Sequence, residues 1–175
     1  MLKKLSNIYP PQLEAVPLLL LGLILYLTFS SYPALPDTIP SHFDARGLPD
    51  GWGPKTTLLI LPGMGFLVYA LITGITVLLA ATKNPRGMIN LPAKMKERLS
   101  KAQVELLRAM LVRCLLALKI LVLGLDAWLL YSNIEVASNR PTGIGYWPFA
   151  FVAAILALIG WMLFRTFRLT LSARG

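Results

Sequence analysis

The polar side chains with the clearest chemical potential lie in one short segment, residues 32–55. His42 is the only histidine of the protein, it lies two residues before Asp44, and Asp37 and Asp50 are close in sequence. One imidazole and three carboxylates form a candidate metal or acid–base site, for which His42 and Asp44 are the metal candidates. Hydrogen bonding of such side chains to the loop backbone, as Asx turns and caps, is the commoner use of this pattern. Both interpretations stay open, and no cofactor is predicted.

The same segment is rich in residues that restrict or release the backbone, with five prolines and three glycines. Proline fixes φ and glycine permits positive φ, so the pattern predicts an ordered loop that is neither strand nor helix. The Asp50-Gly51 step favours a tight turn. Apolar residues interleave with the polar ones, which predicts a lid packed on the ends of neighbouring helices; they are Leu35, Ile39, Phe43, Leu48 and Trp52.

A second set of ionisable residues interrupts an apolar stretch near residue 120. Lys119 is close to its middle, and Asp126 lies about two turns further along on the same helical face. Charges at membrane depth are costly and usually functional. The sequence leaves two interpretations open: a polar path or ligand pocket, or a buried structural pair that holds the loop on the helix. Asp126 is expected to meet His42, Arg46 or Lys55 from the loop.

The elements that position these residues are predicted to be membrane spans. Apolar residues make up 56% of the 175 residues and charged residues 14%, and the apolar residues come in long blocks. A helix needs about 20 apolar residues to cross the hydrocarbon core. Four segments qualify: Ala15 to Tyr32, Thr57 to Ala81, Ala109 to Tyr131, and Pro148 to Phe164. The chain divides into a two-span unit (1–82), a basic connection (83–108) and a second two-span unit (109–175).

The net charge of +9 follows membrane topology, so nucleic acid is not a predicted partner. Of the 17 basic residues, 13 flank alternate ends of the spans. The positive-inside rule then places both termini in the cytoplasm and the 32–55 segment outside, in a cytoplasmic (inner) membrane. The 13 residues are Lys3, Lys4, Lys83, Arg86, Lys94, Lys96, Arg98, Lys101, Arg108, Arg113, Arg165, Arg168 and Arg174.

The basic connection is predicted to form an amphipathic helix after Pro92 that continues into the third span. Its cations are candidates for binding anionic lipid headgroups, or serve only to orient the protein; they are Lys94, Lys96, Arg98 and Lys101. The predicted fold class is therefore an all-α integral membrane protein. It is a four-transmembrane-helix bundle with an ordered Pro/Gly-rich extracytoplasmic loop and a basic amphipathic cytoplasmic helix.

Residues 35–55 read Leu-Pro-Asp-x-Ile-Pro-x-His-Phe, followed by Gly-x-Pro-Asp-Gly-x-Gly-x-Lys. This order resembles the signature of the bacterial membrane domain of unknown function 1648 family, the domain also found at the N-terminus of SdpI-type toxin-immunity proteins. Those proteins protect their producer against a secreted peptide toxin, and they carry a further multi-span region where only two spans are predicted here. The resemblance carries over Pro36, Pro40, His42, Phe43, Gly47, Asp50, Gly51 and Lys55 as functional positions.

The resemblance implies a non-enzymatic immunity or signalling protein whose outer lid senses or blocks an external ligand. Predicted partners are the lipid bilayer, a secreted peptide or membrane protein, and a second copy of the chain. One alternative is a small transporter or ion-pathway subunit that uses Lys119 and Asp126. The other is a membrane enzyme or metal site around His42, for which the sequence holds no serine-nucleophile, zinc-protease or phosphate-loop motif.

Overall fold

A computed structural model of the protein describes residues 8–138 and 143–171, and helices make up 78% of it. The predicted topology markers Lys3, Lys4 and Arg174 lie outside the described residues, as does Arg140. The elements are helices α1 to α6 and one two-stranded sheet. In chain order they are α1 Ala15–Ser31, β1 Thr38–Phe43, β2 Pro49–Pro54, α2 Ile60–Ala81, α3 Pro85–Met88, α4 Ala93–Arg98, α5 Lys101–Ala137 and α6 Trp147–Leu171.

Three helical segments are long and apolar enough to cross a membrane, and they confirm three of the four predicted spans. They are Pro11–Ala34, Lys55–Ala81 and Trp147–Leu171. The first two include the 3-10 turns that precede α1 and α2. The third predicted span lies inside α5, which is the longest helix but carries charged residues along its length. That α5 crosses the membrane stays a prediction.

Helix α5 is longer than its predicted span and also includes residues 101–108 of the basic connection. Its 37 residues extend over about 55 Å, more than the hydrocarbon thickness. The predicted continuous amphipathic helix was wrong, because the short helix α4 ends at Arg98 and a new helix begins at Lys101. Ser100 and Gln103 form a capping box, in which each side chain accepts a hydrogen bond from the other's backbone amide.

Segment 38–54 is an antiparallel β-hairpin, so the prediction of a loop without strands was wrong. A two-stranded sheet leaves one edge of each strand unpaired, and a proline on that edge has no ladder hydrogen bond to lose. The turn is formed by residues 44–47, with Gly47 at φ 77°, rather than by Asp50-Gly51, which lies within β2. Gly51 faces His42 closely: a Cβ at Gly51 would lie 2.9 Å from that of His42.

The main apolar core runs from the helices into the hairpin. Ile24 of α1, Leu123 and Leu130 of α5, and Ile39 of β1 are each 0% exposed and belong to one cluster. Each of these side chains contributes roughly 1.5–3 kcal/mol by burial. The hairpin is therefore part of the folded core of the helices.

The end of the bundle away from the hairpin is held by a residue that the sequence suggested only as a topology marker. Arg108 is 0% exposed, and its guanidinium donates hydrogen bonds to the carbonyls of Leu79, Ala80 and Thr82. These carbonyls lie at the C-terminal end of α2, where helices leave acceptors unsatisfied and favour cations. Arg108 therefore joins α5 to the end of α2.

Candidate functional site

The predicted polar residues of the hairpin lie in three separate pairs instead of one cluster. Each pair joins one carboxylate to one basic side chain, so none of these carboxylates is left without a partner. Within residues 8–138 and 143–171, no three His, Cys, Asp or Glu side chains are arranged to hold a metal ion. The pairs are His42 Nδ1 to Asp50 Oδ1 at 2.5 Å, Arg46 Nε to Asp44 Oδ2 at 2.8 Å, and Lys55 Nζ to Asp37 Oδ1 at 3.2 Å.

Asp44 organises the hairpin turn by hydrogen bonding to its backbone, which is the Asx-turn use of such residues that the sequence left open. Its Oδ1 accepts hydrogen bonds from the backbone amides of Arg46 and Leu48, both at 2.9 Å. The Leu48 amide, followed by the Arg46 side chain, lowers the pKa of Asp44 below its usual 3.8. The carboxylate is therefore an acceptor for the turn, and its ionised form is the one that the fold uses.

We expect the turn to survive acidification until the pH falls below 3.8, the usual carboxyl value. A carboxyl group whose pKa is lowered by folding stabilises the fold above its unfolded pKa, and this contribution disappears as the pH falls through the folded pKa. Hydrogen exchange of the 44–48 amides, corrected for intrinsic rates, should show constant protection from neutral pH down to that point. Asp44→Asn should show weaker protection that does not change over this range. Loss of protection well above pH 3.8 would contradict this role.

Hydrogen bonds fasten the hairpin to α5 and to the segment before α6. The Asn133 side-chain amide of α5 donates to the Pro40 carbonyl of β1 at 2.9 Å. The Ile144 amide donates to the Gly47 carbonyl at the turn, also at 2.9 Å. The indole of Trp128 in turn donates to the Ile144 carbonyl at 2.9 Å. Both ends of the hairpin are therefore held in a fixed position over the helices.

A cleft of about 300 Å³ lies between β1, the start of α2 and the half of α5 that is nearer the hairpin. Its walls are mostly apolar, and the predicted lid residues Pro40 and Phe43 contribute to them. Asn133 also lines the cleft, and its Oδ1 is buried without a hydrogen-bond partner in the described structure. The remaining lining residues are Ser41, Thr57, Leu58, Ile60, Leu61 and Leu129.

Lys119 lies in a polar network among α1, α2 and α5. Its ammonium is 0% exposed and forms an ion pair with Glu14, just before α1. It also donates to Thr73 Oγ1 at 2.8 Å and to the Tyr9 hydroxyl at 3.1 Å. The ring centroid of Tyr69 lies 4.9 Å away, within the range of a cation–π contact. The charge is therefore neutralised and hydrogen-bonded inside the protein.

Glu14 is the site residue that the sequence interpretation missed. A buried lysine requires a carboxylate on a neighbouring element. The chain has only eight acidic residues, and Glu14 is the one directly before the first span. Because acidic residues are so few, the position of Glu14 is a signal from which its ion pair with Lys119 could be predicted.

Asp126 does not meet the hairpin cations, contrary to expectation. His42, Arg46 and Lys55 all pair with carboxylates of their own segment, so they are not available to it. Asp126 is 8% exposed, and its Oδ2 has no hydrogen-bond partner among the described residues. This oxygen lies against Gly65 of α2, where a Cβ would be 2.5 Å away, so glycine makes room for the carboxyl group.

The candidate lipid-binding cations lie around the break between α4 and α5. Lys94 and Arg98 belong to α4 and are exposed, Lys96 is half-buried, and Lys101 is exposed at the start of α5. They share one end of the molecule with the buried Arg108. Their binding of headgroups remains a prediction.

Comparisons with known proteins identify the hairpin segment. Residues 18–66, which contain most of α1, the whole hairpin and the start of α2, match the family described as "Domain of unknown function (DUF1648)". The predicted resemblance to that family is confirmed over this segment. The chain is also 41% identical to an "Uncharacterized protein" of Archaeoglobus fulgidus over 83 residues, covering 47% of this chain and 44% of that protein. The match thus spans less than half of that relative, and no solved structure matches the chain.

Proposed function

We propose that this chain, which carries the DUF1648 match at residues 18–66, is a four-span membrane protein that recognises an apolar peptide outside the cell. The fourth span would be α5. Its two fully buried basic residues support this assignment because both are neutralised or hydrogen-bonded internally: Arg108 by backbone carbonyls and Lys119 by Glu14. Intramembrane charges that face partners inside a bundle are the kind that bilayers tolerate.

The proposed orientation places the hairpin outside and both termini in the cytoplasm. The two basic side chains of the hairpin segment, Arg46 and Lys55, each pair with a carboxylate. The opposite end of the bundle carries the basic connection, where cations outnumber carboxylates. Unbalanced Lys and Arg residues favour the cytoplasmic side of an inner membrane.

The observation that carries the recognition proposal is Asn133, which lines the apolar cleft and whose buried Oδ1 has no hydrogen-bond partner among the described residues. A buried acceptor without a partner costs about 1–3 kcal/mol, so a ligand that donates a hydrogen bond there would recover this energy. The open edge of β1 borders the same cleft. The cleft requires a hydrogen-bond donor and apolar groups from its ligand. An extended peptide supplies both, through its backbone N–H groups and its apolar side chains, and peptides commonly dock at exposed strand edges. The SdpI-type resemblance, with its secreted peptide toxin, supports the same class of ligand.

The two rival functions have less support from the geometry. An ion pathway through Lys119 requires water to reach the ammonium, which is 0% exposed and holds three side-chain acceptors. An enzyme at His42 requires further catalytic groups around the imidazole, whose hydrogen-bond partner is Asp50. The cleft beside Asn133 combines an apolar lining with a buried acceptor that has no partner among the described residues.

Selection from a phage-displayed library of random peptides on the nanodisc-embedded protein tests this function. We expect enrichment of apolar peptides that bind the wild-type protein and lose about tenfold or more in affinity for Ser41→Trp, a loss of about 1.4 kcal/mol. Ser41 is exposed and lines the cleft, so a large ring there blocks it without disturbing the core.

Thr38→Trp is the matched control, because Thr38 is an exposed residue of the same strand that does not line the cleft. This variant should bind the selected peptides as tightly as wild type. No enrichment over empty nanodiscs would refute the function. Equal binding by Ser41→Trp would refute the cleft as the site.

A further inference from the structure

A second groove lies between α5 and α6, at the end of the bundle away from the hairpin. Its volume is about 430 Å³, and apolar side chains of both helices form most of its wall. Met110 of α5 belongs to a buried cluster at this end, and Leu158 of α6 is partly buried and packs against that cluster. Two arginines also line the groove, Arg113 of α5 and Arg165 of α6. The groove therefore combines an acyl-sized apolar surface with two positive charges.

Among the described residues, the two arginines have no internal counter-charge. Neither guanidinium makes a hydrogen bond or an ion pair with a described residue, whereas Arg108 and Lys119 of α5 are fully buried and have internal partners. Two like charges on one groove repel each other, and an anion between them removes this cost. The planar guanidinium binds phosphate oxygens in a bidentate manner. Charge complementarity thus points to a phosphate group.

The apolar part of the groove identifies the source of that phosphate. Helix α6 is covered little by the rest of the chain: in its most apolar stretch of 18 residues, the buried share is 0%. Trp161, which is 52% exposed, borders the groove like the aromatic residues that anchor spans at membrane interfaces. A free phosphate ion would use the arginines and leave this apolar surface without a role.

We propose that the groove binds one anionic glycerophospholipid of the cytoplasmic leaflet. Its phosphate lies between Arg113 and Arg165, and one acyl chain packs along Met110, Leu158 and Leu169. Basic pockets between spans on the cytoplasmic side are a general mode of anionic-lipid recognition. This site is separate from the lysines of α4 and does not depend on the peptide cleft.

Native mass spectrometry of protein released from nanodiscs with equal phosphatidylglycerol and phosphatidylcholine measures this binding. We expect wild type to retain phosphatidylglycerol, and Arg113→Gln/Arg165→Gln to lower its retention relative to phosphatidylcholine by about tenfold. Lys83→Gln/Arg168→Gln removes the same number of charges from exposed residues that do not line the groove, and it should retain lipid as wild type does. Arg113 and Arg165 are exposed, so their replacement leaves the core intact.

A second variant separates lipid from a simple anion. Ala117→Phe fills the groove while keeping both arginines, and it should also lose phosphatidylglycerol. Equal retention by Arg113→Gln/Arg165→Gln would overturn the proposal, as would an equal loss in the Lys83→Gln/Arg168→Gln control. Displacement of the lipid by inorganic phosphate would identify an anion site without acyl recognition. A lipid-free dimer held through α6 would assign the groove to a second copy of the chain.

Discussion

Replacing Lys119 by methionine is expected to lower the free energy of unfolding by about 3–5 kcal/mol, the largest stability loss that the structure implies for one side chain. The substitution leaves Glu14 as a carboxylate at 14% exposure without its cationic partner. Its other oxygen, Oε2, already lacks a hydrogen-bond partner in the described structure. The remaining polar groups cannot neutralise a full charge at this depth.

Denaturant titration in mixed micelles measures this free energy. Adding Glu14→Gln to Lys119→Met removes both charges and should recover most of the loss, because the cost comes from the unpaired carboxylate. Arg113→Met is the control, since it removes a basic side chain from the same helix that has no partner among the described residues. This control should lie within about 0.5 kcal/mol of wild type. A Lys119→Met protein as stable as wild type would show that the pair does not stabilise the bundle.

Replacing Gly143 by alanine is expected to release the hairpin from the helices. A Cβ at Gly143 would overlap the backbone carbonyl of Gly47, at a separation that real Cβ atoms do not adopt. Because backbone atoms cannot swing aside, the hydrogen bond from the Ile144 amide to Gly47 must break. Such overpacking costs about 1–3 kcal/mol, and here the cost falls on one contact.

The rate of trypsin cleavage measures this release, because Arg46 is in the hairpin turn and its side chain is 79% exposed. Cleavage after Arg46 requires local opening, so Gly143→Ala should be cut about tenfold faster than wild type. It should also lose affinity for peptides selected on the cleft.

Gly63→Ala provides the control, because a Cβ at Gly63 of α2 meets nothing within 4 Å. Its cleavage rate should match that of wild type. An unchanged rate in Gly143→Ala would mean that the segment before α6 does not hold the turn.

Several features of this protein are readable from the sequence because their causes are local. Long apolar blocks of about 20 residues predict membrane-spanning helices, and three of these blocks form helices of that kind. The predicted and observed helix ends coincide at Ala15, where α1 begins, and at Ala81, where α2 ends. Charged or helix-breaking residues adjoin the apolar blocks at both places. The signature around His42 was also sufficient to identify the DUF1648 family, since it is a pattern within one short segment.

The charge on Lys119 marked it as a site residue by sequence alone, but its partner was decided by packing. Glu14 is 105 residues away in the chain and reaches Lys119 only because α1 packs against α5. Asp126 shows the same limit: its expected partners from the hairpin form pairs within their own segment. A local pattern shows that a buried charge requires a partner, but it does not show which one.

Only the tertiary structure revealed the hairpin and both grooves. Prolines argue against strands, but Pro40 is accommodated because its strand has a free edge and its carbonyl accepts from Asn133, 93 residues away. The apolar cleft and the arginine groove each combine residues from elements that are distant in sequence. The sequence determined which segments are long and apolar enough to span a membrane and which family signature the chain carries, since those depend on composition and local order. The fold decided which side chains meet, because contacts between elements depend on the packing of the whole chain.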